Sequence, residues 1–144
     1  VHDLPPTAGF LRNEHVRIRA ELGLLTRPAS QASCDADAER ARWAQLLVDS
    51  GWLEPGTDLT TDAGLDAMAV ALHRAVAASP ARLIGIGLSD TVGDRRAINQ
   101  PGTDQEYPNW RLPMTDAHGN VVVLEDIMAR PVLLTALIDA VDTR

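Results

Sequence analysis

The sequence predicts an α-rich α/β chain, and three observations carry that expectation. Apolar residues recur at the 3.6-residue period over 10–22, 35–50 and 60–79, the pattern of helices with one buried face. One short apolar run, Arg82-Leu83-Ile84-Gly85-Ile86-Gly87-Leu88, stands between Pro80 and Ser89, as expected of a strand buried in a parallel sheet. Helical signals flank that run on both sides, which makes it the centre of an α-β-α unit. One strand cannot form a sheet, so its partners are expected in a second copy of the chain or in sequence upstream. A chain that opens on Val1 rather than Met is likewise expected to be a piece of a longer one.

In chain order, Val1 to Gly9 carries Pro5-Pro6, which stops any strand arriving from upstream, and Thr7, a candidate cap. The spacing Leu11, His15, Ile18, Leu22 predicts one helix from Phe10 to Leu22 with Gly23 as its stop and His15 as a packed core histidine. Residues 26–34 read as a polar loop. The acidic turn Asp35, Asp37, Glu39 then opens a helix to about Ser50 that buries Trp43, Leu46 and Leu47, and Trp52 and Leu53 fold back as anchors. Either tryptophan could stack a sugar, but an apolar helix face favours the core. After the turn Glu54-Pro55-Gly56-Thr57-Asp58, one of Thr60, Thr61 or Asp62 caps a third helix with the stripe Leu65, Met68, Ala69, Leu72, Ala75, Val76, ending at Ser79-Pro80. Past the strand, Ser89 caps a further helical start. Thr115 to Asn120 is a turn cluster, Val121 to Leu124 is extended, Glu125 and Asp126 open a helix through Met128, and Val132 to Val141 is a final amphipathic helix after the break at Arg130-Pro131. Helices thus dominate 10–79, and the strand, a loop and terminal helices follow over 80–144, within one unit spanning 1–144.

Composition narrows the function classes. A chain of 144 residues with 45% hydrophobic content is the size of one globular domain with one core. Its net charge of −7, with 20 acidic against 13 basic residues, all of the latter Arg, argues against nucleic acid, which needs a basic patch. No apolar run approaches the ~20 residues that cross a bilayer, so no membrane partner is expected and a soluble, cytoplasmic protein is. Cys34 is alone, which leaves no internal disulfide and no cysteine-based metal site. His2, His15, His73 and His118 lack metal-ligand spacing, so no metal and no other cofactor are expected. Gly85-x-Gly87 has neither a third glycine nor a following Lys-Ser/Thr, which removes a phosphate-loop reading.

The least generic stretch is Asn99-Gln100-Pro101-Gly102-Thr103-Asp104-Gln105-Glu106-Tyr107-Pro108-Asn109-Trp110-Arg111. Its prolines fix φ and push the preceding residues towards extended backbone, giving a stiff loop with side chains in set directions. The run NQPGTDQEYPNW resembles the N-x-PGT-x-x-x-YPNW signature of the 4-α-glucanotransferases (amylomaltases or disproportionating enzymes), and HDLPPTAG at 2–9 resembles a second signature of that family. Two matches in the family's order, some ninety residues apart, are far more specific than either alone.

The resemblance implies the C-terminal quarter of a (β/α)8 TIM barrel: the end of strand 7 at His2-Asp3, a helical insert, strand 8 at 83–88, and C-terminal helices. In such barrels the chemistry lies at the carboxyl ends of the strands. It implies transfer of α-1,4-glucan segments to the 4-hydroxyl of glucose or maltodextrin with retained configuration, which needs a nucleophile and an acid/base carboxyl ~5 Å apart. It further implies Asp3 as a third carboxylate that stabilises the transition state, and His2 and Asn99 as ligands of the same sugar. Tyr107 and Trp110 are expected to lock the loop rather than touch glucan. No other Asp or Glu lies in a matching motif, so the nucleophile and acid/base are expected upstream, in the remainder of the barrel, and the piece alone is expected to be inactive. The residue before His2 is Val1 where the family more often has Thr, which puts only the strand's last contact in doubt. A reading from another class, a non-catalytic helical interaction or oligomerisation module, stays open, whereas a glucosidase of the same superfamily is excluded only by the specificity of the YPNW run.

Overall fold

A computed structural model describes residues 3–129, 135–136 and 138–139. Among the described residues the named helices follow in order: α1 Thr7–Leu11, α2 Glu14–Glu21, α3 Ala29–Asp49, α4 Asp62–Ala77, α5 Leu88–Val92 and α6 Leu124–Ala129. α1 packs on α2 and α4, and α3 packs on α2 and α4. The main core lies where these helices meet, built from Leu11, Leu47, Leu53, Leu65, Met68, Ala69 and Ala71. A smaller cluster of Val16, Ala32 and Ala36 holds α2 against α3.

α4 forms as its residues dictate. Thr61, extended at φ −101°, accepts the Gly64 N–H at 3.1 Å, and Asp62 occupies the first turn, satisfying a free donor and complementing the helix dipole. Leu65, Met68 and Ala69 are buried and Leu72 and Ala75 pack beside them, while Val76 turns outward at 51% exposure. α3 ends at Asp49, capped by Ser50 and followed by Gly51 in the left-handed region (φ 74°), where glycine carries no Cβ penalty.

Four expectations need correction. The helix expected over 10–22 is two helices, because Asn13 is left-handed (φ 58°), a conformation asparagine tolerates. The break is held from α3: Arg40 donates to the Leu11 carbonyl at 2.9 Å, and Asn13 donates to Asp37 at 2.7 Å. α3 starts at Ala29 rather than Asp35, with Pro28 before it; the segment read as a polar loop is helical because Ala32 and Ala36 bury against Val16. Of the α3 residues expected inside, Leu47 is buried but Trp43 and Leu46 are 42% and 53% exposed. The core-facing stripe runs through the small side chains and leaves the indole on its flank. Leu53 is buried as expected, whereas Trp52 is 37% exposed.

The fourth correction concerns 82–88. Residues 82–87 are neither helical nor paired with any described residue, Leu88 already opens α5, and Leu83 is 92% exposed. A strand needs a neighbour for its N–H and C=O groups, and among the described residues the β-pairing is limited to the antiparallel bridge Thr115–Val121. That bridge closes the turn expected at 115–120. The helix expected over 132–141 lies largely outside the described residues.

Candidate functional site around Asp3 and Asn99

Asn99 and Asp3, 96 positions apart, meet directly: the Asn99 Nδ2–H donates to Asp3 Oδ1 at 2.7 Å. Asp3 is exposed and Asn99 half-buried, so both are reached from solvent. His2, the third expected site residue, lies outside the described residues.

The loop that presents Asn99 is fixed on both sides of it. α5 stops at Gly93 in the left-handed region (φ 73°). Asp94, 5% exposed, then accepts from the Arg96 backbone N–H at 3.0 Å, from the Arg96 guanidinium and from the Thr115 N–H at 2.9 Å. Burial pushes the Asp94 carboxyl up, but those donors outweigh it and hold it below its ordinary value. Arg96 also donates to the Pro113 carbonyl at 2.6 Å. Beyond this base, three residues around Asn99 are tied across the loop. The buried Tyr107 hydroxyl donates to the Ala97 carbonyl at 2.7 Å, the Trp110 N–H to the Ile98 carbonyl at 2.9 Å, and the Gln100 N–H to Asn109 Oδ1 at 2.7 Å. Asn109 further donates to the Thr103 hydroxyl at 2.9 Å, and that hydroxyl donates to the Gln100 carbonyl at 2.7 Å. The Tyr-Pro-Asn-Trp run thus acts as a brace. Tyr107 has the locking role expected of it; Trp110 braces through its backbone, at φ 62°, with its side chain 62% exposed.

Asp3 is steered from the other side. Leu4, Pro5 and Pro6 connect it to Thr7, the first residue of α1. The Thr7 N–H and hydroxyl both donate to Asp90 of α5, at 2.7 and 3.0 Å. Gly9 of α1 lies so close to Arg95 that a Cβ there would meet the Arg95 carbonyl oxygen at 2.0 Å. The helix carrying Thr7 is therefore pressed onto the backbone that leads to Asn99. A cavity of about 480 Å³ opens beside this junction, lined by Leu4, Pro6, Leu72, His73, Gly87 and Asp90 among others, but not by Asp3 or Asn99.

Asp90, Gly9 and Asn109 carry the arrangement and were not singled out from the sequence. Asn109 sits inside the signature run and could have been found there. Asp90 could not, because Thr7 reads locally as a cap for its own helix and nothing in the spacing points 83 residues ahead. Among the described residues no group of His, Cys, Asp and Glu could hold a metal ion, and no helix is long and apolar enough to cross a membrane. What the site offers is a carboxylate held by an amide, an arrangement that can accept and donate hydrogen bonds to neighbouring hydroxyls.

A family model described as 4-alpha-glucanotransferase matches residues 1–118, a span that includes both signatures. The chain belongs to the 4-α-glucanotransferase family. The 4-alpha-glucanotransferases of Mycobacterium tuberculosis and Mycobacterium bovis are each 46% identical to it over 126 residues, covering 88% of this chain and 17% of theirs. That of Haemophilus influenzae is 29% identical over 115 residues, covering 76% of this chain and 16% of its own. The crystal structure of amylomaltase from Corynebacterium glutamicum superposes with a TM-score of 0.89 at 33% identity, covering 98% of this chain and 21% of that one. The chain therefore spans about a sixth to a fifth of the length of these relatives.

Proposed function

We propose that this chain is the C-terminal part of the catalytic (β/α)8 barrel of a 4-α-glucanotransferase. Asp3 and Asn99 would line the sugar site at the point of cleavage, and His2 would bind a hydroxyl of the same sugar. The reaction is transfer of an α-1,4-glucan segment to the 4-hydroxyl of glucose or a maltodextrin through a covalent glycosyl-enzyme. The remainder of the protein supplies the nucleophile and the acid/base. It also supplies the strands against which 83–88 pairs as the eighth strand, following the helical segment at 10–79. A cytoplasmic setting is part of the same proposal.

The observation that carries it is the Asn99–Asp3 hydrogen bond of 2.7 Å between the two family signatures. A retaining transfer passes through an oxocarbenium-like state in which the ring flattens and hydrogen bonds to its hydroxyls strengthen. A carboxylate held in one orientation binds that state better than the ground state without reorganising, which is the requirement for lowering the barrier. Asn99 provides the holding donor, and the brace from 107–110 keeps Asn99 in place.

Asp3→Asn in the intact protein is the test. The substituted side chain keeps a carbonyl oxygen to accept from Asn99, so the geometry survives and the charge does not. Losing a transition-state contact of ~3 kcal/mol lowers kcat by more than a hundredfold, read as glucose release from maltodextrin disproportionation. A folded variant that keeps over a tenth of wild-type turnover removes Asp3 from the mechanism.

A further inference from the structure

Asp90 holds the element that leads to Asp3. Its side chain is 13% exposed. One carboxylate oxygen accepts from the Thr7 N–H at 2.7 Å and the other from the Thr7 hydroxyl at 3.0 Å. The first N–H groups of a helix have no partner within it, and Pro6, the residue before α1, offers no side-chain cap. Asp90 fills that role from a different helix. Only Leu4, Pro5 and Pro6 separate Thr7 from Asp3, and each proline fixes its own φ and restricts the residue before it. Fixing Thr7 therefore fixes the direction in which Asp3 leaves.

The second oxygen of Asp90 also faces His73 of α4, whose Nε2 is 3.6 Å away, and the His73 side chain is likewise 13% exposed. The opposite ring nitrogen, Nδ1, is 2.8 Å from the Ala69 carbonyl. A carbonyl cannot donate, so Nδ1 carries a proton. In the neutral ring Nε2 would then turn a lone pair on the carboxylate. Only the imidazolium offers N–H to both neighbours.

We propose that Asp90 and His73 are positioning residues for Asp3, with protonated His73 holding Asp90 and Asp90 holding Thr7. The Asp90 carboxylate raises the His73 pKa, burial lowers it, and the Ala69 carbonyl raises it again, for a net rise above the ordinary 6.5. For Asp90, burial pushes the carboxyl up, but His73 and the two Thr7 donors outweigh it and leave it lowered. The polar and charged groups facing the pair among the described residues are few. Thr7 comes from the start of α1, Ser89 from α5, and Arg96 from the loop beyond, its guanidinium already bonded to Asp94 and Pro113. His73 is thus the group whose charge changes as pH rises from acid to alkaline, and the clamp loosens when it loses its proton.

The inference rests on the glucanotransferase reading, and the test separates the two. It uses the full-length enzyme and maltodextrin disproportionation, measuring kcat and KM from pH 5.5 to 8.5 for wild type, Asp90→Asn and His73→Gln. Asn at 90 can accept from the Thr7 N–H and donate to a neutral His73, but it faces a protonated His73 donor to donor. The kcat ratio of wild type to Asp90→Asn is therefore expected to fall with rising pH, from about tenfold to about twofold or less, with KM nearly unchanged. Gln at 73 donates at every pH, so the ratio of wild type to His73→Gln falls in the same direction. Either ratio cancels the titration of the catalytic carboxyls, which the enzymes share. Flat ratios overturn the clamp, and should Asp90→Asn not fold, the His73→Gln ratio decides alone. Absence of any glucan transfer by wild type would instead contradict the parent reading.

Discussion

Gly9→Ala sets two effects against each other, and the structure decides between them. Gly9 is the third residue of α1, and alanine in a helix interior is intrinsically better than glycine by roughly 0.5–1 kcal/mol. Local propensity alone therefore expects a stabilised protein. The new Cβ, however, would sit 2.0 Å from the Arg95 carbonyl oxygen and 2.8 Å from its carbon, where ordinary contact begins at 3.4 Å. Both are backbone atoms, so α1 or the 94–96 segment must retreat by well over an ångström. The second option is closed by the Asp94–Thr115 and Arg96–Pro113 bonds. Forced overpacking of this kind costs about 1–3 kcal/mol or more, and it outweighs the propensity gain, for a net loss of about 1–2 kcal/mol. Because α1 leads back to Asp3 and 95 leads on to Asn99, the same displacement also opens the Asp3–Asn99 pair. Chemical denaturation of the intact variant should show a lowered midpoint at unchanged slope, with turnover reduced beyond what the unfolded fraction explains. A variant as stable and as active as wild type would show that the close approach of α1 to Arg95 does not exist.

Other outcomes follow from the same contacts. Tyr107→Phe keeps the ring and removes the hydroxyl that bonds the buried Ala97 carbonyl at 2.7 Å, which should cost about 1–3 kcal/mol in denaturant unfolding; no measurable loss would show that the loop is braced elsewhere. His15 stacks on Phe10 with ring centroids 5.4 Å apart, and its Nδ1 is buried without a hydrogen-bond partner among the described residues. Burial lowers its pKa from 6.5, Glu39 opposes and Arg19 reinforces the shift, so the unfolded state takes up the proton first. Stability from this site is thus present above pH 6.5 and lost as pH falls below it. His15→Leu should flatten that acid decline in thermal unfolding, whereas an unchanged decline would place its origin at other groups. His73 works in the opposite sense, contributing below its ordinary value and losing its contribution as pH rises through its raised one.

Much of this was legible locally. α4 could be read because its cap, its acidic first turn and its apolar stripe all agree within sixteen residues, and local agreement of that kind leaves tertiary structure little to override. The Pro-Gly loop was legible because proline and glycine restrict the backbone wherever they stand. What could not be read depends on partners far along the chain. The spacing of Leu11, His15, Ile18 and Leu22 suits one continuous helix, and the contacts from α3, Arg40 onto the Leu11 carbonyl and Asp37 onto the Asn13 amide, show why it is two. Ala32 and Ala36 are too small to mark a buried face until Val16 is placed against them. The run at 82–88 has a strand's composition, but strand geometry needs neighbouring backbone. At the site, the types and order of Asp3 and Asn99 were visible as signature residues. Their support was not, since Thr7–Asp90 is a contact between elements with no spacing rule to announce it.

The central claim is that Asp3 and Asn99 face one sugar. A crystal structure of the intact protein with a bound maltodextrin tests it most directly. The account predicts a single glucose ring with hydroxyls within ~3.2 Å of both the Asp3 carboxylate and the Asn99 amide. A ring touching only one of them, or a glucan lying elsewhere with this pair exposed to solvent, would contradict it.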